Sequence, residues 1–208
     1  MTLSSSPLRL IRARAIAVTA TLVGAALFAS CNDPLALKAS IAVRTDTLSA
    51  FAMTGTPATY PAAFDAANSS VVRIGTDIGF DIAFDFAPSP NGAVQLVPAR
   101  QVSASANTGG IIVTSSRRVG LQKVSGTFES ITKAPNKNYT YDSLMVVNTG
   151  VPVVMELSSS GCQYSLSSTI YAKIVIDSVN TGTRRLFFRS TVDPNCGFRS
   201  FQPGVPKS

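Results

Sequence analysis

The chain has 208 residues, of which only 14% are charged. Its polar share rests on Ser, Thr, Asn and Gln, a composition that argues against a charge-rich disordered chain and is common in β-rich proteins outside the cytoplasm. The formal charge is +7, and no histidine occurs anywhere, which excludes histidine triads, histidine general acid/base catalysis and His-ligated zinc, iron or copper sites.

Residues 1–14 are polar and basic, residues 15–29 form an apolar run, and the small residues Ala29 and Ser30 stand directly before Cys31. That order is the layout of an export signal, and the run is too short to cross a hydrocarbon core about 30 Å thick as an ordinary helix. The stretch Leu27-Phe28-Ala29-Ser30-Cys31 resembles the bacterial lipobox, with Phe28 where leucine is usual. The resemblance covers residues 1–31 only. It implies cleavage before Cys31, acylation of the Cys31 sulfur, and a mature protein held by lipid to a membrane of the bacterial cell envelope, outside the cytoplasm. Ordinary signal cleavage nearby, with Cys31 incidental, is the alternative. The expected layout is a signal peptide over 1–30, a tether over 31–40 and one β domain over 41–208, long enough for a single core.

Losing Arg9, Arg12 and Arg14 with the signal takes the charge from +7 to +4, and what remains is uneven. Residues 31–116 carry four basic and six acidic side chains, whereas 117–208 carry eleven basic and five acidic. With Cys31 assigned to lipid, Cys162 and Cys196 are left as an even pair in an oxidising compartment and are expected to form a disulfide. A loop of that size would stabilise the fold by about 3 to 4 kcal/mol on the chain-entropy model.

From residue 41 onward the dominant pattern is period-2 alternation. Over Val72–Phe86 the residues Val72, Ile74, Ile78, Phe80, Ile82, Phe84 and Phe86 share one face, and Arg73, Asp77, Asp81 and Asp85 the other, which predicts one long half-buried strand. The Pro88, Pro90, Asn91 and Gly92 cluster predicts a turn, with Val94–Ser105 as the partner strand. Further short strands are expected at Ile111–Ser115 and at about 119–132, 139–148 and 151–157, separated by glycine and proline punctuation. A last hairpin is predicted from Cys162–Ser178 and Arg184–Val192 around Asn180-Thr181-Gly182, with Ile176 opposite Leu186, Ile174 opposite Phe188 and Ile170 opposite Val192. About ten antiparallel strands in one domain predict an all-β, single-domain antiparallel β-sandwich, for which an immunoglobulin-like arrangement is one form; a small closed β-barrel is the alternative.

Candidate chemistry is sparse. Asp77, Asp81 and Asp85 recur every four residues, but on a strand four residues span about 13 Å, too far for neighbours to share one calcium or flank one glycosidic bond unaided. They are expected to form a solvated acidic face opposite a basic neighbour. Arg184, Arg185 and Arg189 are the candidate surface for an anionic partner or envelope component, with a solvated, partly neutralised face as the plain alternative. Nucleic acid is not expected, because no interleaved aromatic platform accompanies the cations. Tyr139 and Tyr141 share a strand face and could stack on a sugar or simply on each other. No Ser-x-x-Lys, Gly-x-Ser-x-Gly, P-loop or dinucleotide pattern occurs, and no cofactor or metal is implied. The expectation is a non-enzymatic, lipid-anchored envelope protein with a structural or binding role. Two alternatives accompany it. One is a carrier of small molecules or lipid, with a cavity lined by Phe80, Phe84, Ile174 or Phe188. The other is a histidine-free hydrolase drawing a carboxylate pair from Asp81, Asp85, Glu129 or Glu156.

Overall fold

The computed structural model describes residues 38–74, 79–88, 92–102 and 117–207. The strands are β1 (Arg44–Phe51), β2 (Ala63–Asp65), β3 (Ser70–Val72), β4 (Ile82–Phe86), β5 (Val94–Pro98), β6 (Val119–Lys123), β7 (Thr140–Tyr141), β8 (Met145–Val147), β9 (Val153–Ser158), β10 (Thr169–Asn180) and β11 (Arg185–Asp193). One short helix, α1 (Ala99–Val102), follows β5, and a 3-10 turn spans Ser160–Cys162. The strands form a six-stranded sheet in the order β1-β11-β10-β9-β6-β7 and a five-stranded sheet in the order β3-β2-β4-β5-β8. Every pairing is antiparallel. The architecture is the all-β sandwich that the alternation predicts, with no closed barrel among the described residues.

The core lies between the sheets. Leu121, Met155, Leu157, Ile174, Ile176, Leu186 and Phe188 enter it from the larger sheet, and Phe64, Ile82, Phe84, Val94 and Leu96 from the smaller. Phe188 is the centrepiece: its ring meets Phe64 edge-on at 5.4 Å and Phe84 at 4.9 Å. Each such buried side chain stabilises the fold by about 1.5–3 kcal/mol relative to an exposed one. The outer faces are also covered. Ile131, Ala134, Tyr139, Tyr171, Phe201 and Val154 pack together over the larger sheet, while Met53, Phe80, Ala83, Val97 and Val102 form a cluster on the smaller.

The predicted strand over 72–86 is in fact two. β3 and β4 both pair with β2, one on each side, so the chain leaves the sheet after Val72 and returns at Ile82. Gly79 stands at φ +124°, a conformation open to glycine and strained for other residues, and a straight strand cannot pass through it. The partner strand is shorter than expected, because α1 begins at Ala99, whose N–H donates to the Asp81 carbonyl. The expected strand at 111–115 and Asp77 lie outside the described residues. The 119–132 strand ends at Lys123, and 139–148 divides into β7 and β8, which join different sheets.

In the last hairpin the faces agree with expectation and the register does not. Ile176 lies opposite Phe188, Ile174 opposite Ser190 and Ala172 opposite Val192, with a bulge between Ile176 and Ser178. The shift is by two residues, which preserves side-chain parity, so the same residues still face the core. The first arm also starts late. Residues 162–168 belong to the 3-10 turn and a loop, with Ser165 N–H donating to the Cys162 carbonyl, and Tyr164 and Leu166 are exposed instead of sharing the apolar face.

Candidate functional site

Asp81 and Asp85, the described aspartates of the predicted acidic face, are buried rather than solvated. Asp81, just before β4, is 1% exposed, and Asp65, at the end of β2, is 5% exposed. Arg117 Nη1 donates to both, at 3.1 Å to Asp65 and 3.3 Å to Asp81. The other Asp81 oxygen accepts the Ala66 N–H at 2.8 Å, and the other Asp65 oxygen accepts Asn68 Nδ2 at 2.7 Å. Burial pushes the Asp81 carboxyl up to about 6, against the pull of Arg117. Arg117 is held above its ordinary value because Asp81 and Asp65 outweigh the burial that disfavours its charge. Gly79 leaves room for this guanidinium: a Cβ there would stand 3.0 Å from Arg117 Nη2.

Asp85, inside β4, forms a second ion cluster at the far end of that strand. It accepts the Phe86 N–H at 2.8 Å, the Thr54 N–H at 3.3 Å and Arg184 Nη2 at 3.2 Å, together with the Thr54 hydroxyl. Arg184 also donates through Nε to the Thr54 carbonyl, and its own carbonyl accepts the Ala52 N–H at 2.8 Å. Arg184 belongs to the β10–β11 turn of the larger sheet and Asp85 to the smaller, so the pair ties one sheet to the other. Arg117, two residues before β6, makes the corresponding tie through Asp81 and Asp65. Removing one partner of such buried pairs leaves an uncompensated charge, which costs about 3–5 kcal/mol.

The three candidate arginines therefore have different surroundings. Arg184 is engaged as described. Arg185 donates to Ser49 Oγ at 2.7 Å and lies over the Phe51 and Phe187 rings. Arg189 chelates Asp177 through three contacts of 2.9–3.1 Å, donates to Glu129, and covers the Phe128 ring. These contacts raise the Arg189 pKa and lower that of Glu129. Beneath Phe128 lies Lys173, expected on a polar strand face and instead 4% exposed. Its ammonium donates to the carbonyls of Phe128 at 2.5 Å and Ile131 at 2.9 Å, and burial lowers its pKa.

The tyrosine pair packs within the protein. Tyr139 and Tyr141 stand 6.4 Å apart, and Tyr139 and Tyr171 likewise. Glu156 accepts the Tyr141 hydroxyl at 2.5 Å and the Tyr171 hydroxyl at 3.2 Å, while Tyr139 donates to the Pro135 carbonyl. Arg118 covers the Tyr141 ring at 3.6 Å. Burial, followed by the Glu156 charge, pushes Tyr171 up to about 12. Gly120 permits the arrangement, since a Cβ there would stand 2.7 Å from Tyr141 Cε1.

Cys162 and Cys196 form a disulfide, with Cα atoms 5.6 Å apart. It ties a segment following β9 to one following β11, two strands of the same sheet. Cys31 lies outside the described residues. Among the described residues no three acidic, cysteine or histidine side chains are placed to hold a metal ion, and no helix is long and apolar enough to cross a membrane. Of the proposed cavity residues, Phe84, Ile174 and Phe188 share the inter-sheet core, whereas Phe80 lies in the separate cluster on the smaller sheet. Of the proposed carboxylates, Asp81, Asp85, Glu129 and Glu156 each hold a different set of internal partners. Arg117 brings Asp65 and Asp81 together, as Arg189 does Asp177 and Glu129, and Asp65 carried no signal in the sequence beyond its place in the short apolar stretch 62–66. Comparison with known protein families, with curated proteins and with solved structures finds no match for this chain.

Proposed function

We propose that the protein is a bacterial envelope lipoprotein, acylated at Cys31, whose β-sandwich has a structural or binding role and no enzymatic one. The observation that carries this reading is the order of basic start, apolar run, Ala29-Ser30 and Cys31 in the first 31 residues. The Cys162–Cys196 disulfide supports it, because such bonds persist in oxidising compartments outside the cytoplasm. The non-enzymatic part is supported by the internal commitments of the ionisable groups. Asp81 and Asp85 anchor inter-sheet ties, Glu156 holds two tyrosines, and Arg189 is chelated on its own sheet. Such groups stiffen a scaffold, and binding would then fall to exposed loops.

The test is acyl labelling of the full chain in a bacterial host, with and without Cys31→Ser. The expected outcome is a fatty-acyl label and membrane fractionation for the native sequence, both lost in the variant. Unchanged fractionation of an unlabelled Cys31→Ser protein would refute lipid anchoring.

A further inference from the structure

Four strand ends meet at one end of the larger sheet: the start of β1, the end of β11, the start of β10 and the end of β9, as the pairings Arg44 with Val192, Tyr171 with Asp193 and Thr169 with Ser158 require. The N-terminal segment joins the domain there. Asn195 Oδ1 accepts the Ser40 and Ile41 N–H groups at 2.9 and 3.0 Å, and Asn195 Nδ2 donates to the Ile41 carbonyl at 2.7 Å. Asn195 is itself fixed by Asp193 Oδ1, at 2.8 Å from its Nδ2. The next residue, Cys196, is bonded to Cys162, and the loop that follows Cys162 carries Tyr164, 94% exposed, and Leu166, 76% exposed. Among the described residues these are the two most exposed large apolar side chains, and Ile41, 51% exposed, stands at the same end. Neither Tyr164 nor Leu166 belongs to any of the buried clusters among the described residues.

Two further observations say what these side chains meet. Lys38 is the seventh residue after Cys31, and seven residues span at most about 25 Å even when fully extended. A lipid on Cys31 would therefore hold this end of the domain close to the bilayer. The exposed cations Lys38, Arg44 and Arg118 belong to the same end. Of the carboxylates near them, Asp142 is engaged by Arg100 and the Val119 N–H, and one Asp193 oxygen by Asn195, while Asp46 stands on β1 two residues from Arg44. A tyrosine and a leucine exposed at an end that also carries exposed cations fit the headgroup region of an anionic membrane, where tyrosine is enriched and basic side chains find phosphate.

We propose that the loop 163–168, pinned by the Cys162–Cys196 bridge, rests in the headgroup region of the membrane that holds the Cys31 lipid, with Tyr164 and Leu166 as its apolar contacts. The proposal rests on the lipoprotein reading. It adds an orientation: the disulfide end faces the membrane, and the β10–β11 turn with Arg184 faces away.

The chain contains no tryptophan, so Tyr164→Trp introduces a single reporter at a side chain that the core does not use. The full acylated chain carrying Tyr164→Trp would be reconstituted into vesicles of phosphatidylethanolamine and phosphatidylglycerol, with and without brominated acyl chains. Thr181→Trp, at the opposite end, serves as the control. The expected result is a blue-shifted indole emission at 164 that brominated lipid quenches, with unshifted, unquenched emission at 181. Unquenched emission at 164 in protein that carries the acyl label and floats with vesicles overturns the loop contact and leaves the anchor standing. Loss of both label and flotation overturns the lipoprotein reading and the proposal with it. A blue shift that bromolipid leaves unquenched also overturns it, because the indole is then buried away from the acyl chains.

Discussion

Breaking the Cys162–Cys196 bridge should cost this domain a large part of its stability. The two cysteines are 34 positions apart, and the chain-entropy relation gives about 4 kcal/mol for closing a loop of that length in the unfolded chain. Against the 5–15 kcal/mol typical of whole domains this is a quarter or more of the total. It corresponds to a fall in Tm of about 8–15 °C for a domain of this size. The native structure has little means of recovering the loss. Cys162 is buried in the inter-sheet core with Cys196 packed against it, although the Gly197 N–H to Thr169 carbonyl and Ser159 N–H to Ser168 carbonyl bonds hold the strand ends without the bridge. Urea unfolding followed by circular dichroism, with and without reductant and in a Cys162→Ala/Cys196→Ala variant, measures the effect. Hydrogen exchange should rise at residues 160–168 and stay low in β4 and β5. A loss below about 1 kcal/mol would refute the reasoning, because it would mean that the unfolded chain is already restricted between these positions.

Two further perturbations probe the interior. Asp81 has a folded pKa of about 6, raised from an ordinary value near 4 by burial, so the folded state binds its proton more tightly than the unfolded one. The resulting stabilisation is fully present below about pH 4 and is lost as pH rises through about 6, a difference of about 3 kcal/mol for two pKa units. Urea midpoints between pH 4 and 8 should show this slope as a difference between the native sequence and Asp81→Asn; parallel curves would contradict it. Gly120→Ala should destabilise by about 1–3 kcal/mol, the cost of forcing extra volume into a packed site, since the new Cβ would stand 2.7 Å from Tyr141 Cε1 and 3.0 Å from Tyr139 Cβ. Near-ultraviolet circular dichroism and thermal unfolding would register the displaced tyrosines, and an unchanged Tm would show that the rings have room to move.

The alternation in residues 82–86 and 169–192 was enough to specify strands, an inward apolar face and the parity of the last hairpin, because side chains alternate between faces whatever the partner. Val72, Ile74 and Phe80, expected on the same face as Ile82 and Phe84, pack instead in the separate cluster on the smaller sheet. Alternation could not specify which residue lies opposite which. The bulge at Asp177 and the two-residue displacement of Ile176 from Leu186 to Phe188 leave parity unchanged, and parity is all that alternation records. The split of 72–86 around β2 was hidden for a similar reason: both halves keep period 2, and the break depends on the conformation of Gly79 and on β2 lying between them.

Polar strand residues were the least legible. Lys173, Asp81 and Asp85 read as solvent-facing because a charged side chain normally keeps its water. In the fold that water is replaced, by the Phe128 and Ile131 carbonyls over Lys173 and by Arg117 and Arg184 beside the aspartates. For Asp85, Thr54 is 31 and Arg184 99 residues away in the chain, far beyond any local pattern. The sequence by itself thus determined the all-β class, the even cysteine pair and the absence of histidine chemistry, all properties of composition and short-range periodicity. Only the tertiary structure decided which charges are buried, and that Tyr164 and Leu166 stand exposed beside the N-terminal segment, because both follow from contacts between segments distant in the chain.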